Sequence, residues 1–545
     1  MQNHGKWWHQ RVIYQIYPRS FCDSNGDGIG DIEGIISKLD YLKQLGVGAL
    51  WLSPVYKSPN ADNGYDIADY IDINPEYGTL DDMKRLLKEA DIRDIKIIMD
   101  LVINHTSDEH RWFTQSIDPS SPYHDYYIWR QGIVKDGKEY PPNNWESHFT
   151  GSAWSKHPDN GLYYLHLFAA KQPDLNYHNP KVVEEVKRLM KFWLDLGVAG
   201  FRCDVINMIF KTSLANGKKR LYAIGKEHYL SQAGSHLILK QFHDEVWQKY
   251  DAYTVGETVG LDGIKAQAYT DGQLETVFQF DHTAVDQLFL PLFRKRYCPA
   301  LMRKTLQKWQ QILPWNTLFF ENHDIPRSIS RFGDEGKYYY QSATMLATIL
   351  MTLRGTPFIY QGQEIGCINT NFNTIDEIDD VSSRNVYDLV QQRFRLSKKM
   401  AFRLVMNFCR DHARTPLPWN SDANGGFTTG TPWLRLSDSY QCINVLANLN
   451  DSKSIWHYYQ NIIALRNSSP MLQTGAITFI KQHRDVLAFS RQLAHKHWTI
   501  YINLSSCWRK INKPITGKII IDNYHDTGLF SQKRLAPYQA LIIEG

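Results

Sequence analysis

Four short runs of the chain end in side chains able to act on a polar bond. They are DLVINH, with Asp100 and His105; GFRCDVIN, with Arg202 and Asp204; TVGET, with Glu257; and FFENHD, with His323 and Asp324. Each follows an apolar, β-like stretch, so each sets its acids and donors just past a strand end. Cleaving a glycosidic bond would require a proton donor for the leaving oxygen and a second carboxylate acting at the sugar carbon, around an oxocarbenium-like transition state. Asp204, Glu257 and Asp324 offer that pair and one acid more. Arg202 precedes Asp204 by two residues, so strand alternation turns both toward one face, where the guanidinium favours the ionised carboxylate that a nucleophile requires. Any one of these acids could equally cap a helix or pair with a surface arginine. Recurring at successive strand ends, they imply a single mouth.

The elements that must carry them alternate. Eight short strands are expected at Val12–Tyr17, Ala49–Leu52, Lys96–Leu101, Gly200–Cys203, Tyr253–Val255, Thr276–Phe280, Thr317–Phe320 and Pro357–Tyr360. Between them lie segments with three- and four-residue apolar spacing, such as Ile32–Leu45, Leu80–Ala90, Val182–Leu196 and Ser342–Leu353, the pattern of amphipathic helices. Strand and helix in alternation predict an α/β fold, a (β/α)8 TIM barrel whose chemistry sits at the strand ends. From Asn104 to about Lys171 the chain is instead rich in Tyr, Trp, Pro, His and Asn without helical period, which reads as a loop-rich subdomain inserted after strand three. Past a helix at Ser452–Arg466 the pattern becomes alternating, at Ala476–Ile480, Val486–Ser490, Trp498–Leu504, Lys518–Ile521 and Ala540–Ile543. This predicts a C-terminal antiparallel β domain. The expected organisation is barrel over 1–104, inserted subdomain over 105–173, barrel again over 174–470, and a terminal β-sandwich over 471–545. Only Val381–Arg410 fits none of these units, although Gln391–Arg403 has helical character.

Composition agrees with a large folded domain: 545 residues, 13% aromatic, with a formal net charge of +4. Without a concentrated basic stripe there is no electrostatic case for a nucleic-acid or membrane partner. Seven scattered cysteines without a C-x-x-C pair suggest neither a disulfide framework nor a zinc site, and so a reducing compartment. No signal-peptide or membrane-spanning run is found. The expectation is a cytoplasmic monomer acting on a small carbohydrate, with no organic cofactor.

The four signature runs, together with GYDIADY (64–70), QPDLN (172–176), ARTPLPW (413–419) and GFTTGTPW (426–433), resemble glycoside hydrolase family 13, the α-amylase family, over essentially the whole chain. More narrowly they resemble the group of oligo-1,6-glucosidases, dextran glucosidases and trehalose-6-phosphate hydrolases. The resemblance implies a retaining α-glucosidase with Asp204 as nucleophile, Glu257 as general acid and base, and Asp324 holding and distorting the terminal sugar. It also implies that Asp66, His105, Arg202, His323 and Arg414 hydrogen-bond a terminal glucose and that Tyr65 offers a ring for stacking. Phe168 and Trp51 are further aromatic candidates for the sugar face, and Asp100 is expected to orient Arg202 or Tyr14. Val205, next to the nucleophile, goes with α-1,6 linkages in similar enzymes, by about 1–3 kcal/mol of discrimination. Family relatives that serve as non-catalytic transporter chains lack the acids retained here and carry a membrane anchor.

Two departures bear on the aglycone side: Leu417-Pro418 stands where the group commonly has Met-Gln, and Glu321 where it often has Asn. Beyond Val205, Lys211, Lys218, Lys219 and Arg220 could hold a phosphate or form a solvated face, which keeps trehalose-6-phosphate hydrolysis and transglucosylation open as alternatives. Asp23, Asn25, Asp27, the Ile29 carbonyl and Asp31 alternate around Gly28, as at the start of a Ca²⁺ loop. Gly34 stands where the twelfth-position Glu of an EF-hand would be, so the expected role is structural.

Overall fold

A computed structural model describes residues 5–288, 292–512, 515–524 and 533–545. Its eight-stranded parallel sheet comprises β1 (Ile13–Ile16), β2 (Ala49–Leu52), β3 (Lys96–Leu101), β4 (Gly200–Cys203), β5 (Tyr253–Glu257), β6 (Thr276–Phe278), β7 (Asn316–Leu318) and β8 (Gly355–Tyr360). The order is β6-β5-β4-β3-β2-β1-β8-β7. At the seam between β6 and β7, Thr317 Oγ1 donates to the Val277 carbonyl at 2.7 Å, so a side chain bridges where the ladder does not. The expected (β/α)8 barrel is therefore present, with β7 ending two residues early and β8 starting two residues before Pro357. Gly355 opens β8 at φ +150°, where a Cβ would lie 2.2 Å from the Asn316 carbonyl oxygen. Only glycine allows that approach between neighbouring strands.

The β2, β4 and β8 side chains are buried throughout, because a parallel barrel is covered within and without. Trp8, Ile13, Ala49, Trp51, Ile98, Tyr253, Phe278 and Phe358 fill the interior as one cluster. Trp51 belongs to this plug, being 2% exposed, and so supports the mouth from below instead of facing a sugar. Outside, the helix Pro180–Asp195 buries Val182, Val186, Leu189, Met190 and Trp193 against the wall. It starts cleanly because Asn179 accepts from the Lys181 amide and Pro180 sits in the first turn, where its missing N–H costs nothing.

Between β3 and β4 the chain forms the expected excursion: a short helix at Arg111–Ser116, a three-stranded sheet of Trp129–Arg130, Tyr163–Leu165 and Trp154–Lys156, and an exposed hairpin at Ile133–Lys135 and Lys138–Tyr140. A bridge between His105 and Asp174 ties its two ends together at the barrel top. Buried Lys211 adds an ion pair to Asp174 at 2.6 Å and a hydrogen bond to Asn104 Oδ1 at 2.9 Å. The segment that fits no barrel unit folds into two helices, Val381–Phe394 and Lys398–Val405. Arg395, at φ +54°, breaks what the sequence suggests as one helix.

Five antiparallel strands form the terminal sheet: β9 (Ala476–Phe479), β10 (Val486–Leu493), β11 (Lys496–Asn503), β12 (Lys518–Asp522) and β13 (Ala540–Glu544), in the order β9-β10-β11-β13-β12. A two-stranded ribbon, Arg509–Lys510 with Arg534–Leu535, accompanies it. Among the described residues no helix is long and apolar enough to cross a membrane.

The Asx-rich loop at 23–31 closes largely on itself. Asp23 Oδ1 accepts from the Asn25 and Gly26 amides and Oδ2 from Gly28, while Asn25 and Asp27 accept from the amides two residues on. Asp31 caps the following helix through the Gly34 amide and holds Ser24 with its other oxygen. The GFTTGTPW segment packs behind, the Phe427 carbonyl accepting from the Asp23 amide and the Gly28 carbonyl from Trp433. Among the described residues no group of three or more His, Cys, Asp or Glu side chains is arranged to hold a metal ion.

Candidate active site

Parallel strands in register place their last residues at one level, and this brings Arg202 on β4 beside Asp100 on β3 and Val255 on β5. The Arg202 guanidinium, 1% exposed, then meets three carboxylates. Nη1 donates to Asp100 Oδ1 at 2.7 Å and to Asp204 Oδ1 at 2.8 Å, and Nη2 to Glu257 Oε2 at 2.5 Å. One cation thus faces three acids in a water-poor site.

The charge count decides their protonation. Burial, and then the carboxylates of Glu257, Asp100 and Asp324, push Asp204 well above the usual carboxylate range despite Arg202. Burial likewise moves Asp100 up to about 6. The single guanidinium therefore does not offset the burial of Asp204 and Asp100, where the strand pattern alone suggested that it would favour the ionised carboxylate.

Asp324 behaves oppositely. Burial would raise it, but His323, and then the Arg410 and Arg414 guanidinium groups, outweigh that and bring it below the ordinary carboxylate range. Arg414 Nη2 donates to Asp324 Oδ1 at 2.9 Å, and its Nε to the His323 carbonyl at 2.9 Å. Arg410 reaches Asp324 Oδ1 at 3.4 Å, Asp62 Oδ1 at 3.1 Å and Asp380 Oδ1 at 2.8 Å. A cleft of about 210 Å³ opens beside Asp324, walled by Phe149, Ser382 and Arg410.

His323 is fully buried, and burial moves its pKa down to about 3, so it is a neutral imidazole. Gln15 Nε2 donates to its Nδ1 at 2.8 Å, leaving the proton on Nε2, which lies 2.6 Å from the Tyr65 hydroxyl and 3.2 Å from Asp324 Oδ2. Tyr65 in turn donates to Asp100 Oδ2 at 3.0 Å, beside the Trp51 indole N–H at 3.2 Å. Its ring stacks on His323 with centroids 5.3 Å apart. Asp100 therefore orients Arg202 and Tyr65; Tyr14 donates elsewhere, to Glu364 Oε1 at 2.8 Å.

Asp66 is not placed with this group. Its two oxygens accept the Ala61 and Asp62 amides at 2.8 and 2.9 Å, shaping the loop so that Asp62, four residues earlier, faces Arg410 and Gln172. Sequence reasoning passed over Asp62 and Arg410. Arg410 could have been found from its four-residue spacing to Arg414, one turn of helix. Gln172 donates to Asp62 Oδ2 and the Tyr65 carbonyl, and lies 3.1 Å from His105 Nε2, so the QPDLN run fastens the insertion to the mouth. The ring centroid of Phe168, half-buried, lies 5.3 Å from that of His105. Val205 has φ +34° and ψ +39°, a costly conformation for a β-branched residue, with its amide 3.4 Å from Glu257 Oε2. It packs with Met208, Trp145 and Tyr229. Lys211 is held by Asp174, and Arg220 by Glu227 at 3.2 Å, so neither lies free for a phosphate.

If Asp204 must lose its proton to act, kcat/KM should fall on the acid side above the ordinary carboxylate value of about 4. Asp100→Asn removes one charge that raises Asp204, so it should move this limb to lower pH. The check is kcat/KM for an aryl α-glucoside from pH 4 to 9; an acid limb at or below ordinary carboxylate values would show Asp204 ionised throughout.

Comparison with known proteins agrees with this arrangement. The α-amylase catalytic-domain model matches residues 15–475. The oligo-1,6-glucosidase of Parageobacillus thermoglucosidasius is 46% identical, with 98% of each chain covered. The trehalose-6-phosphate hydrolase of Escherichia coli is 41% identical, with 95% of each covered. Among solved structures, the trehalulose synthase of Pseudomonas mesoacidophila aligns with a TM-score of 0.93 at 38% identity, covering 99% of both chains. The trehalose-6-phosphate hydrolase of Bacillus licheniformis aligns with a TM-score of 0.90 at 40% identity, covering 99% of this chain and all of that one. A barrel with its acids gathered on one strand-end arginine, matched over this length, belongs to the α-amylase family, glycoside hydrolase family 13.

Proposed function

We propose that the protein is a retaining, exo-acting α-glucosidase that hydrolyses α-1,6-glucosidic bonds at the non-reducing end of isomalto-oligosaccharides or dextran. The observation that carries this is the Arg202 guanidinium holding Asp204 and Glu257 together, opposite an ionised Asp324. Two carboxylates on the two ends of one guanidinium lie close together, as a retaining pair does. Relatives named oligo-1,6-glucosidase and glucan 1,6-alpha-glucosidase, 41–46% identical over nearly the full length, support the linkage.

In this mechanism Asp204 attacks the anomeric carbon while Glu257 gives its proton to the departing oxygen; Glu257 then takes a proton from the water that opens the glucosyl-enzyme. The first step requires a proton on Glu257 and an ionised Asp204. Asp324, Arg414, Arg410, Asp62 and His323 hold the terminal glucose, and these groups close one end of the site, as an exo enzyme requires. Val205 presses on the aglycone side of the bond. Four buried thiols among the seven free cysteines support a reducing, cytoplasmic setting.

A structural Ca²⁺ is part of the proposal. Asp23, Asn25, Asp27 and the Ile29 carbonyl would hold it, with Asp31 behind them; an all-oxygen donor set suits a hard cation. The chain's own share is a loop already shaped by its amide hydrogen bonds, so the ion adds stability and takes no part in bond cleavage.

Asp204→Asn should lose about 10³-fold or more of activity on every substrate. Glu257→Gln should lose about 10²–10⁴-fold on isomaltose, but far less on an aryl glucoside whose leaving group needs no proton. The same assay run on isomaltose, maltose, sucrose and trehalose 6-phosphate should favour isomaltose; highest kcat/KM on trehalose 6-phosphate would replace the proposed substrate. Val205→Thr should lower the isomaltose-to-maltose ratio by about 10-fold. Chelation should lower the melting temperature while leaving initial rates at low temperature intact; no change in melting and no metal in the purified protein would leave the loop a plain Asx turn.

A further inference from the structure

Glu321 is the acid that stands at the start of ENHD where related sequences often have Asn, and no step above uses it. It is buried, 2% exposed, three residues past the end of β7. Oε1 accepts from the Ser328 amide at 2.9 Å and hydroxyl at 2.5 Å, and Oε2 pairs with Arg327 Nη1 at 3.0 Å. These bonds close residues 321–328 into a ring of chain, and His323 and Asp324 lie on that ring.

Arg327 carries the constraint further. Also 2% exposed, it donates from Nη1 to the Gln361 carbonyl at the end of β8, at 2.8 Å, and from Nη2 to the Ala413 carbonyl at 3.3 Å. Its guanidinium lies 5.0 Å from the centre of the Tyr360 ring, and its amide is held by Asn369 at 2.9 Å. Ala413 immediately precedes Arg414, whose guanidinium grips Asp324 and the His323 carbonyl. The carboxylate that binds sugar and the arginine that holds it are thus both anchored on one buried ion pair.

We propose that Glu321 and Arg327 are positioning residues for the terminal-glucose site: the pair sets the distance and angle between Asp324 and Arg414, and through them the affinity for the non-reducing glucose. This rests on the glucosidase reading above. In this chain the carboxylate is also the counterion of Arg327, and Gln in its place would leave that buried charge without one. Neither residue touches the reacting atoms, so the effect falls on binding before it falls on bond cleavage.

The test compares the full-length wild type with Glu321→Gln in steady-state hydrolysis of an aryl α-glucoside and in calorimetric binding of glucose. The expected result is a rise of about tenfold in KM and in the glucose Kd, with kcat changed much less. Arg414→Lys should already forfeit this positioning, so adding Glu321→Gln to it should cost little more; independent sites would multiply their losses. If Glu321→Gln does not fold, Glu321→Gln with Arg327→Met removes both buried charges and is measured instead. Wild-type KM and Kd in the folded variant, or losses that multiply with Arg414→Lys, would overturn the proposal. Absence of hydrolysis by the wild type would sink the glucosidase reading, while glucose binding still decides the role of Glu321.

Discussion

One guanidinium shared by three carboxylates is the interaction on which the rest of the site depends. Arg202 is buried and charged, so it has to be compensated, and Asp100, Asp204 and Glu257 all reach it. Burial, joined by the neighbouring carboxylates, raises Asp204 and Asp100 above the ordinary carboxylate value. Such a cluster is costly to bury, and it persists because the barrel over-determines it: strand register sets the Arg202 and Asp100 backbones side by side, and Trp51 and Tyr65 fix the remaining Asp100 oxygen from below and from the side.

A second charge system, of opposite balance, lies across the mouth. Asp324 is lowered by His323, Arg410 and Arg414, and these two arginines are themselves held by Asp62, Asp380 and the His323 carbonyl. The neutral His323 joins the two systems: it carries one proton between the Tyr65 hydroxyl and Asp324, while Gln15 fixes its tautomer. A group in which Asp204 and Asp100 are raised and an arginine-rich group in which Asp324 is lowered are thus set on either side of one cleft. This is the asymmetry that general-acid chemistry on a neutral sugar needs.

The excursions from the barrel serve this arrangement. The insertion after β3 is fastened by Gln172 to Asp62 and by Asp174 to Lys211. The helical pair after β8 supplies Asp380 beneath Arg410, and Asn385, whose side chain donates to the Phe149 carbonyl at 3.1 Å. Two segments that lie more than two hundred residues apart in sequence therefore meet above Asp324, which is what turns an open strand-end mouth into a pocket.

Much of this was legible in the chain. Period-two runs ending in acids marked the strands and the side of the barrel that carries chemistry, because alternation and strand ends are local properties of sequence. Asp204, Glu257, Asp324, Arg202 and His323 were named from those runs and Arg414 from the family resemblance, and the structure gathers them. The family resemblance gave Asp66 to the sugar, although its carboxylate shapes a loop, and the aromatic content suggested Trp51 for the sugar face when it fills the barrel. It could not see Arg410, Asp62 or the pairing of Lys211 with Asp174, since each depends on partners from another loop. The sequence by itself determined the residue types, their order and the barrel that lines them up; only the tertiary structure decided which charges share a counterion, and hence which acids are raised and which are lowered. Coulomb interactions fall off over a few ångströms of space, whatever the separation along the chain.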